Sequence, residues 1–257
     1  AVAERTTELE HSLKKQQQAY QELQQLDLMK DQFISTVSHE LRTPLTSISG
    51  ALNLALSGAL DAKPAKKQHL LQIANSNSQR LTLLINDLLD LEKLAASQMV
   101  LSMQPHDIAV ITQRAVTENS PYGLKRQISL RYIPPAENMA TIALVDENRL
   151  LQVLANVLSN AIKFSPEQDE VNISLQQQNT DIAIVISDNG PGITVAFQQR
   201  IFQRFAQENA SNTREQGGTG LGLALSQELM HAMDGDISFV SEPGKGTTFY
   251  VTLPLQA

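Results

Sequence analysis

The sequence contains no cysteine and no tryptophan, and aromatic residues make up only 4% of its 257 positions. Without cysteine there are no disulfides and no thiolate metal sites, which fits a reducing compartment. Positive charge is also short: 20 Lys and Arg stand against 27 Asp and Glu, a net charge of -7. No broad basic surface is available to neutralise phosphates, which argues against a nucleic-acid binder. No run reaches the roughly 18 apolar residues that a membrane-spanning helix needs. The chain starts at Ala1 with neither an initiator methionine nor a signal-peptide pattern, and reads as a piece of something longer. What is present is ordinary: 42% hydrophobic residues, in a length that suits two domains or one large one.

The most informative stretch is FISTVSHELRTPL, from Phe33 to Leu45. Phe33, Ile34, Val37, Leu41 and Leu45 have helical spacing, with His39 among them. Glu40 follows at once, and Thr43 lies one turn on, on the face of His39. Pro44 removes the amide that would bond the Glu40 carbonyl, which loosens or kinks the helix beside the histidine. A lone helical histidine is more often surface or core filler, so this block needs support from elsewhere.

Residues 1–32 are rich in Glu, Gln, Lys and Leu. Leu9, Leu13, Tyr20, Leu23 and Leu26 recur at steps of mostly three, four and seven, as in a coiled-coil seam interrupted by Gln16 and Asp27. A solvated single helix is the alternative. The seam runs on into the His39 helix, to about Ser57. Gly58 to Pro64 reads as a turn, and a second helix follows from about Ala65 to Ala96, striped by Leu70, Ala74, Asn77, Leu81, Leu84, Leu88 and Leu91. A hairpin alone cannot bury both stripes, so a dimeric four-helix bundle is expected, with His39 near its surface.

From about Met99 the pattern turns to short segments typical of an α/β or α+β domain. Strands are expected at Gln127–Ile133, Thr141–Val145, Val171–Gln176, Ile182–Ser187, Asp236–Ser241 and Thr247–Leu253. Helices are expected at Ile108–Glu118, Glu147–Phe164, Val195–Phe205 and Gly220–Met233. On the Glu147–Phe164 helix, Asn156, Asn160 and Lys163 fall at i, i+4 and i+7, on one face. That stripe is either a plain polar face or a seat for a magnesium triphosphate, an Asn carbonyl serving as the single protein ligand of Mg²⁺.

Asp188-Asn189-Gly190-Pro191-Gly192 follows a strongly apolar strand. It is a turn signal, or a place where Asp188 accepts from an exocyclic amine while Gly190 and Gly192 let backbone approach a purine. Gly217-Gly218-Thr219-Gly220-Leu221-Gly222 opens a helix, where free amides and the helix dipole cradle anions. It matches neither a P-loop nor a dinucleotide fingerprint. The polar stretch between Pro191 and Gly217 reads as a lid. Within it, Phe202 and Phe205 are hinge packing or local core. Gly244-Lys245-Gly246-Thr247 is a tight turn, from which Thr247 can still reach a nucleotide.

Assembled in this order, the segments resemble the catalytic core of the sensor histidine kinases of two-component signalling. HELRTPL resembles the phosphoacceptor box, NVLSNAIKFSP the N box, DNGPG, GGTGLGL and GKGT the three glycine boxes, and FQRF the F box. The resemblance covers nearly the whole chain. It implies a multidomain α and α+β protein: a signalling coiled-coil helix (1–32), a dimerisation and phosphotransfer hairpin (33–97), and an α/β sandwich ATP-binding domain of the gyrase and histidine-kinase class (98–257). It implies an ATP- and Mg²⁺-dependent kinase, working as a cytoplasmic homodimer, that autophosphorylates His39 and serves a response-regulator receiver domain.

By the same resemblance, Glu40 is a base or fixes the ring tautomer of His39, and Thr43 places a water for dephosphorylation. Asn160 is the Mg²⁺ ligand, Asn156 and Lys163 touch phosphate, and Asp188 reads adenine. Gly190, Gly192, Phe205, Gly218, Thr219, Gly220, Leu221, Gly222 and Thr247 complete the nucleotide site. Related ATPases carry a water-activating Glu four residues before the metal-ligand Asn. Here Asn156 stands there, so bound ATP is expected to hydrolyse poorly. Two positions depart from the pattern. Phe164 replaces a frequent Tyr, and the segment after Phe205 lacks an Arg, leaving Arg204 or Arg214 to supply any lid charge.

Overall fold

The structure is a computed structural model that describes residues 15–16, 20, 24, 34–59, 63–208 and 219–256. The expected coiled coil over 1–32 lies almost wholly outside the described residues; the four described there are helical. The chain divides into two compact units, Ala1–Leu83 and Leu84–Ala257.

The first unit is a helical hairpin. Helix α1 covers residues 34–56, and α2, Pro64–Ala95, begins in this unit and ends in the next. Along α1 the covered apolar positions are Val37, Leu41, Pro44, Ile48, Ala51 and Ala55, at steps of four and three. The seam therefore passes through Pro44, and Leu45, expected on it, is exposed. The helix continues through Pro44. Thr43, Thr46 and Ser47 donate their hydroxyls to the carbonyls of His39, Arg42 and Thr43, giving backbone oxygens around the proline a second donor. On α2, the expected stripe is the covered one, with Ala74, Leu84 and Leu91 buried. Ile34, Leu45, Leu52 and Leu71 are among the large apolar side chains that remain exposed on this hairpin.

The second unit is a two-layer sandwich. Five strands, β2 (Ser129–Ile133), β4 (Glu170–Gln178), β5 (Asp181–Asp188), β6 (Asp236–Glu242) and β7 (Gly246–Pro254), pair in the order β2-β4-β5-β7-β6. β2 runs parallel to β4, and the other pairs are antiparallel. A separate ribbon joins β1 (Gln104–Asp107) to β3 (Ile142–Val145). Helices α3 (Ile108–Lys125), α4 (Glu147–Phe164) and α6 (Gly222–Ala232) form the second layer; α5 (Val195–Gln198) is a single turn. Ile182, Ile184 and Ile186 of β5 oppose Leu253, Val251 and Phe249 of β7, and this buried double row is the floor of the core.

Local chemistry accounts for the boundaries that depart from expectation. β2 starts at Ser129, not Gln127, because Gln127 takes a positive φ of 60° and Ile128 donates to the Gly123 carbonyl, closing α3. α3 runs past Glu118 to Lys125: Pro121 removes only one intrahelical bond, while Ile111, Ala115, Val116 and Gly123 keep its stripe buried. The expected Val195–Phe205 helix is cut to four residues, and turns replace the rest. β1 was not expected at all, being short and polar (QPHD).

Candidate active site

The expected site residues fall into two sets, one in each unit. In the first, His39 sits on α1 with its side chain 76% exposed, while its neighbour Glu40 is only 22% exposed. Side chains at i and i+1 diverge by about 100° on a helix, yet Glu40 Oε1 lies 3.6 Å from His39 Nδ1. That is close enough for an electrostatic contact but too long for a good hydrogen bond. Its other oxygen faces Arg80 Nη2 of α2 at 4.0 Å. Arg80 carried no signal in the sequence, because a single arginine on a helix face is ordinary. Thr43 donates to the His39 carbonyl at 3.2 Å, one turn from the ring's attachment point.

In the second unit, α4 arranges the polar stripe. Asp146 caps it, accepting from Arg149 N and from Ser102 N. Leu150, Val153, Leu154, Val157, Leu158, Ala161 and Ile162 are buried, which leaves Asn156, Asn160 and Lys163 half-buried along the other face. Asn156 Nδ2 donates to Ser226 Oγ of α6 at 3.0 Å. Asn160 makes no side-chain hydrogen bond with any described residue, and the Lys163 ammonium lies 4.5 Å over the Phe164 ring. Phe164, where a hydroxyl was expected to be lost, thus gives the lysine a cation–π partner.

The loops meet this stripe where the glycines require it. A Cβ on Gly190 would fall 2.8 Å from both Asp188 Oδ1 and the Phe164 carbonyl. A Cβ on Gly222 would collide with the Asn156 amide. Asp188 is buried and opposite Thr247, and its carboxylate takes amide hydrogens from Gly190 and Thr247. Burial raises its pKa above the ordinary carboxylate value, and the two amide bonds oppose that shift. Phe205, at φ 62°, donates its amide to the Gly220 carbonyl, so the middle of the expected lid is tied to the backbone just past its end. Thr219 Oγ1 accepts from Leu221 N, and Leu221 is fully buried at the start of α6.

Gly218 and Arg214 lie outside the described residues. Arg204 is 3.6 Å from Glu92 of α2, and the Phe202 ring packs at a tilt against Phe239, so the F box is anchored to neighbouring structure. The arrangement fits a magnesium nucleotide. Among the described residues, the buried Asp188 carboxylate has only backbone partners and the half-buried Asn160 amide has none, and glycines sit where side chains would clash.

Comparison with known proteins bears on both sets. Residues 29–97 match the His Kinase A (phospho-acceptor) domain, and residues 145–257 match the Histidine kinase-, DNA gyrase B-, and HSP90-like ATPase. The chain is 33% identical over 255 residues to the circadian input-output histidine kinase CikA of Synechococcus elongatus, covering 99% of this chain and 33% of CikA. It is 36% identical over 236 residues to the signal transduction histidine-protein kinase BarA of Escherichia coli, covering 88% of this chain and 25% of BarA. The chain belongs to the histidine kinase family.

As a histidine kinase it spans about a quarter to a third of the length of these relatives. The crystal structure of the kinase ShkA in complex with AMPPNP superposes with a TM-score of 0.64 at 30% identity, over 87% of this chain and 45% of that one. Besides Arg80, sequence reasoning passed over two kinase residues. Ser226 holds Asn156, and Ser241 joins Ile193, the residue after the first glycine box, to the third; both are serines in runs where nothing marks them. A third feature it passed over is the ion pair of Asp90 with Arg149, 2.7 Å long and also touching Gln152, which ties the end of α2 to α4.

Proposed function

We propose that this chain is an ATP-dependent protein-histidine kinase in which the imidazole of His39 takes the terminal phosphoryl group of ATP and passes it to an aspartate of a response-regulator receiver domain. The observation that carries this reading is the asymmetry of the His39 ring. Glu40 faces Nδ1 at 3.6 Å, so a proton held there is stabilised and Nε2 keeps its lone pair on an exposed side chain. His39 Nε2 attacks the terminal phosphorus in line, a P–N bond forms, and the bond to the bridging oxygen breaks, releasing ADP. Glu40 offsets the positive charge that develops on the ring.

Asp188 and Thr247 hold the base; Asn156 and Lys163 hold phosphate. Gly190, Gly192, Phe205, Gly218, Thr219, Gly220, Leu221 and Gly222 shape the pocket. Asn160 would hold Mg²⁺, which supplies charge neutralisation to the phosphates when bound. Asn156, bonded to Ser226, is no base at neutral pH, which supports transfer to imidazole over hydrolysis. The domain division at 32 and 97, a homodimer formed through the exposed face of the hairpin, and a cytoplasmic place of work belong to the same reading. So does a reverse, phosphatase activity, in which the Thr43 hydroxyl orients water. Asn160→Ala tests the reading: phosphohistidine should vanish while the circular dichroism spectrum stays that of the parent. Labelling at the parental rate would reject the metal assignment. Steady phosphate release that does not depend on His39 would favour a plain ATPase.

A further inference from the structure

Ser241, at the end of β6, has no part in the proposed function but sits in a hydrogen-bond circuit with Thr247, which does. Its Oγ accepts from Ile193 N at 2.9 Å, donates to the Gly246 carbonyl at 3.0 Å, and lies 2.9 Å from Thr247 Oγ1. Its register partner on β7 is Thr247, whose own partner on β5 is Asp188. The three side chains therefore form one row across three strands, on the face that carries the buried core. Gln198 Nε2 fixes the backbone on either side, donating to the carbonyls of Ile193 and Ser241.

Counting protons decides the direction of the circuit. Ser241 has one hydroxyl hydrogen, and a carbonyl can only accept. Ile193 N can only donate. The one assignment that makes all three contacts hydrogen bonds sends the Ser241 hydrogen to Gly246 and the Thr247 hydrogen to Ser241. Thr247 Oγ1 is then left with lone pairs alone. Asp188 beside it already accepts from two backbone amides, and as a carboxylate it too offers only acceptors.

We propose that Ser241 is a specificity-determining positioning residue: by taking the Thr247 hydrogen it turns that hydroxyl into an obligate acceptor, which favours a base carrying an amino group over one carrying a carbonyl at the same position. The inference rests on the nucleotide reading above and adds to it the residue that sets hydrogen-bond polarity. A purine with a 6-amino group brings two N–H donors to this pair of acceptors. A 6-oxo purine brings lone pairs against lone pairs, leaving buried polar atoms unpaired.

The test is calorimetric titration of the whole chain with ATP and with inosine triphosphate, in the presence of Mg²⁺, for the parent, Ser241→Ala and Ser241→Thr. The parent should prefer ATP. In Ser241→Ala the Thr247 hydroxyl is free to turn and donate, so the ratio of the two affinities should fall about tenfold, the size of one mispaired buried contact. Ser241→Thr restores the acceptor and should restore the ratio. A ratio unchanged in Ser241→Ala overturns the proposal, even if both affinities drop together, because that is what loss of mere structural support produces. Should circular dichroism show Ser241→Ala unfolded, Thr247→Val is read in the same way and must lower the ratio. A parent chain that binds both nucleotides equally overturns this proposal alone; one that binds neither overturns the nucleotide reading with it.

Discussion

Glu40 reaches back to the Nδ1 edge of His39 at 3.6 Å while its other oxygen faces Arg80 at 4.0 Å. The carboxylate is thus braced from α2 and not from its own helix alone. Glu40→Gln should slow phosphohistidine formation at least tenfold and leave the KM for ATP unchanged, because the proposed nucleotide site is a separate set of residues. Arg80→Ala should give a smaller loss of the same kind. Initial rates of label incorporation at varied ATP separate the two parameters.

The contact between Gly222 and Asn156 makes a second prediction. A methyl group at Gly222 runs into the Asn156 amide, which is also held by Ser226. Overpacking of this kind costs about 1–3 kcal/mol. Gly222→Ala should therefore weaken ATP binding roughly tenfold or more, by calorimetry. Gly222→Ala with Asn156→Ala should regain thermal stability without regaining affinity, since the proposed phosphate contact is then gone.

Asp87 on α2 gives a pH dependence. Burial, with the nearby charge of Asp90 adding to it, pushes its carboxyl up to about 6 from the model-compound 3.8. The folded state thus binds more protons than the unfolded state between those values, so this group's contribution to stability falls as pH rises through that window and is flat above it. Asp87→Asn should raise the thermal midpoint at pH 8 and change it little at pH 4. Melts across the range check the sign.

Arg149 lies 2.7 Å from Asp90 with both side chains largely covered. Removing one member leaves the other charge without its partner, at about 1–3 kcal/mol once partial exposure is allowed for. Arg149→Met should speed hydrogen exchange at the amides of residues 84–95. The double variant with Asp90→Leu should recover part of the protection.

Much of this was legible in the sequence where side chains of one kind recur at a fixed step. The α4 stripe announced its helix and set Asn156, Asn160 and Lys163 on one face, because seven apolar positions occupy the other. The α2 seam and the five strands of the main sheet showed for the same reason. The polar ribbon strand β1 carried no such period, and the Val195–Phe205 segment carried one that turns override. The His39 surroundings were half readable: Glu40 and Thr43 are local, but Arg80 arrives from another helix, and only the hairpin brings it near. Ser241 was invisible because its role depends on two loops meeting, and a serine before a turn is unremarkable on its own.

The central claim is that the phosphoryl group comes to rest on His39. The direct measurement is incubation of the purified chain with γ-labelled ATP and Mg²⁺, followed by acid and alkali treatment and by mapping of the modified residue. The account predicts label that is stable to alkali, labile to acid, located on His39, and absent from His39→Gln. Label that survives in His39→Gln, or that maps to another side chain, contradicts it.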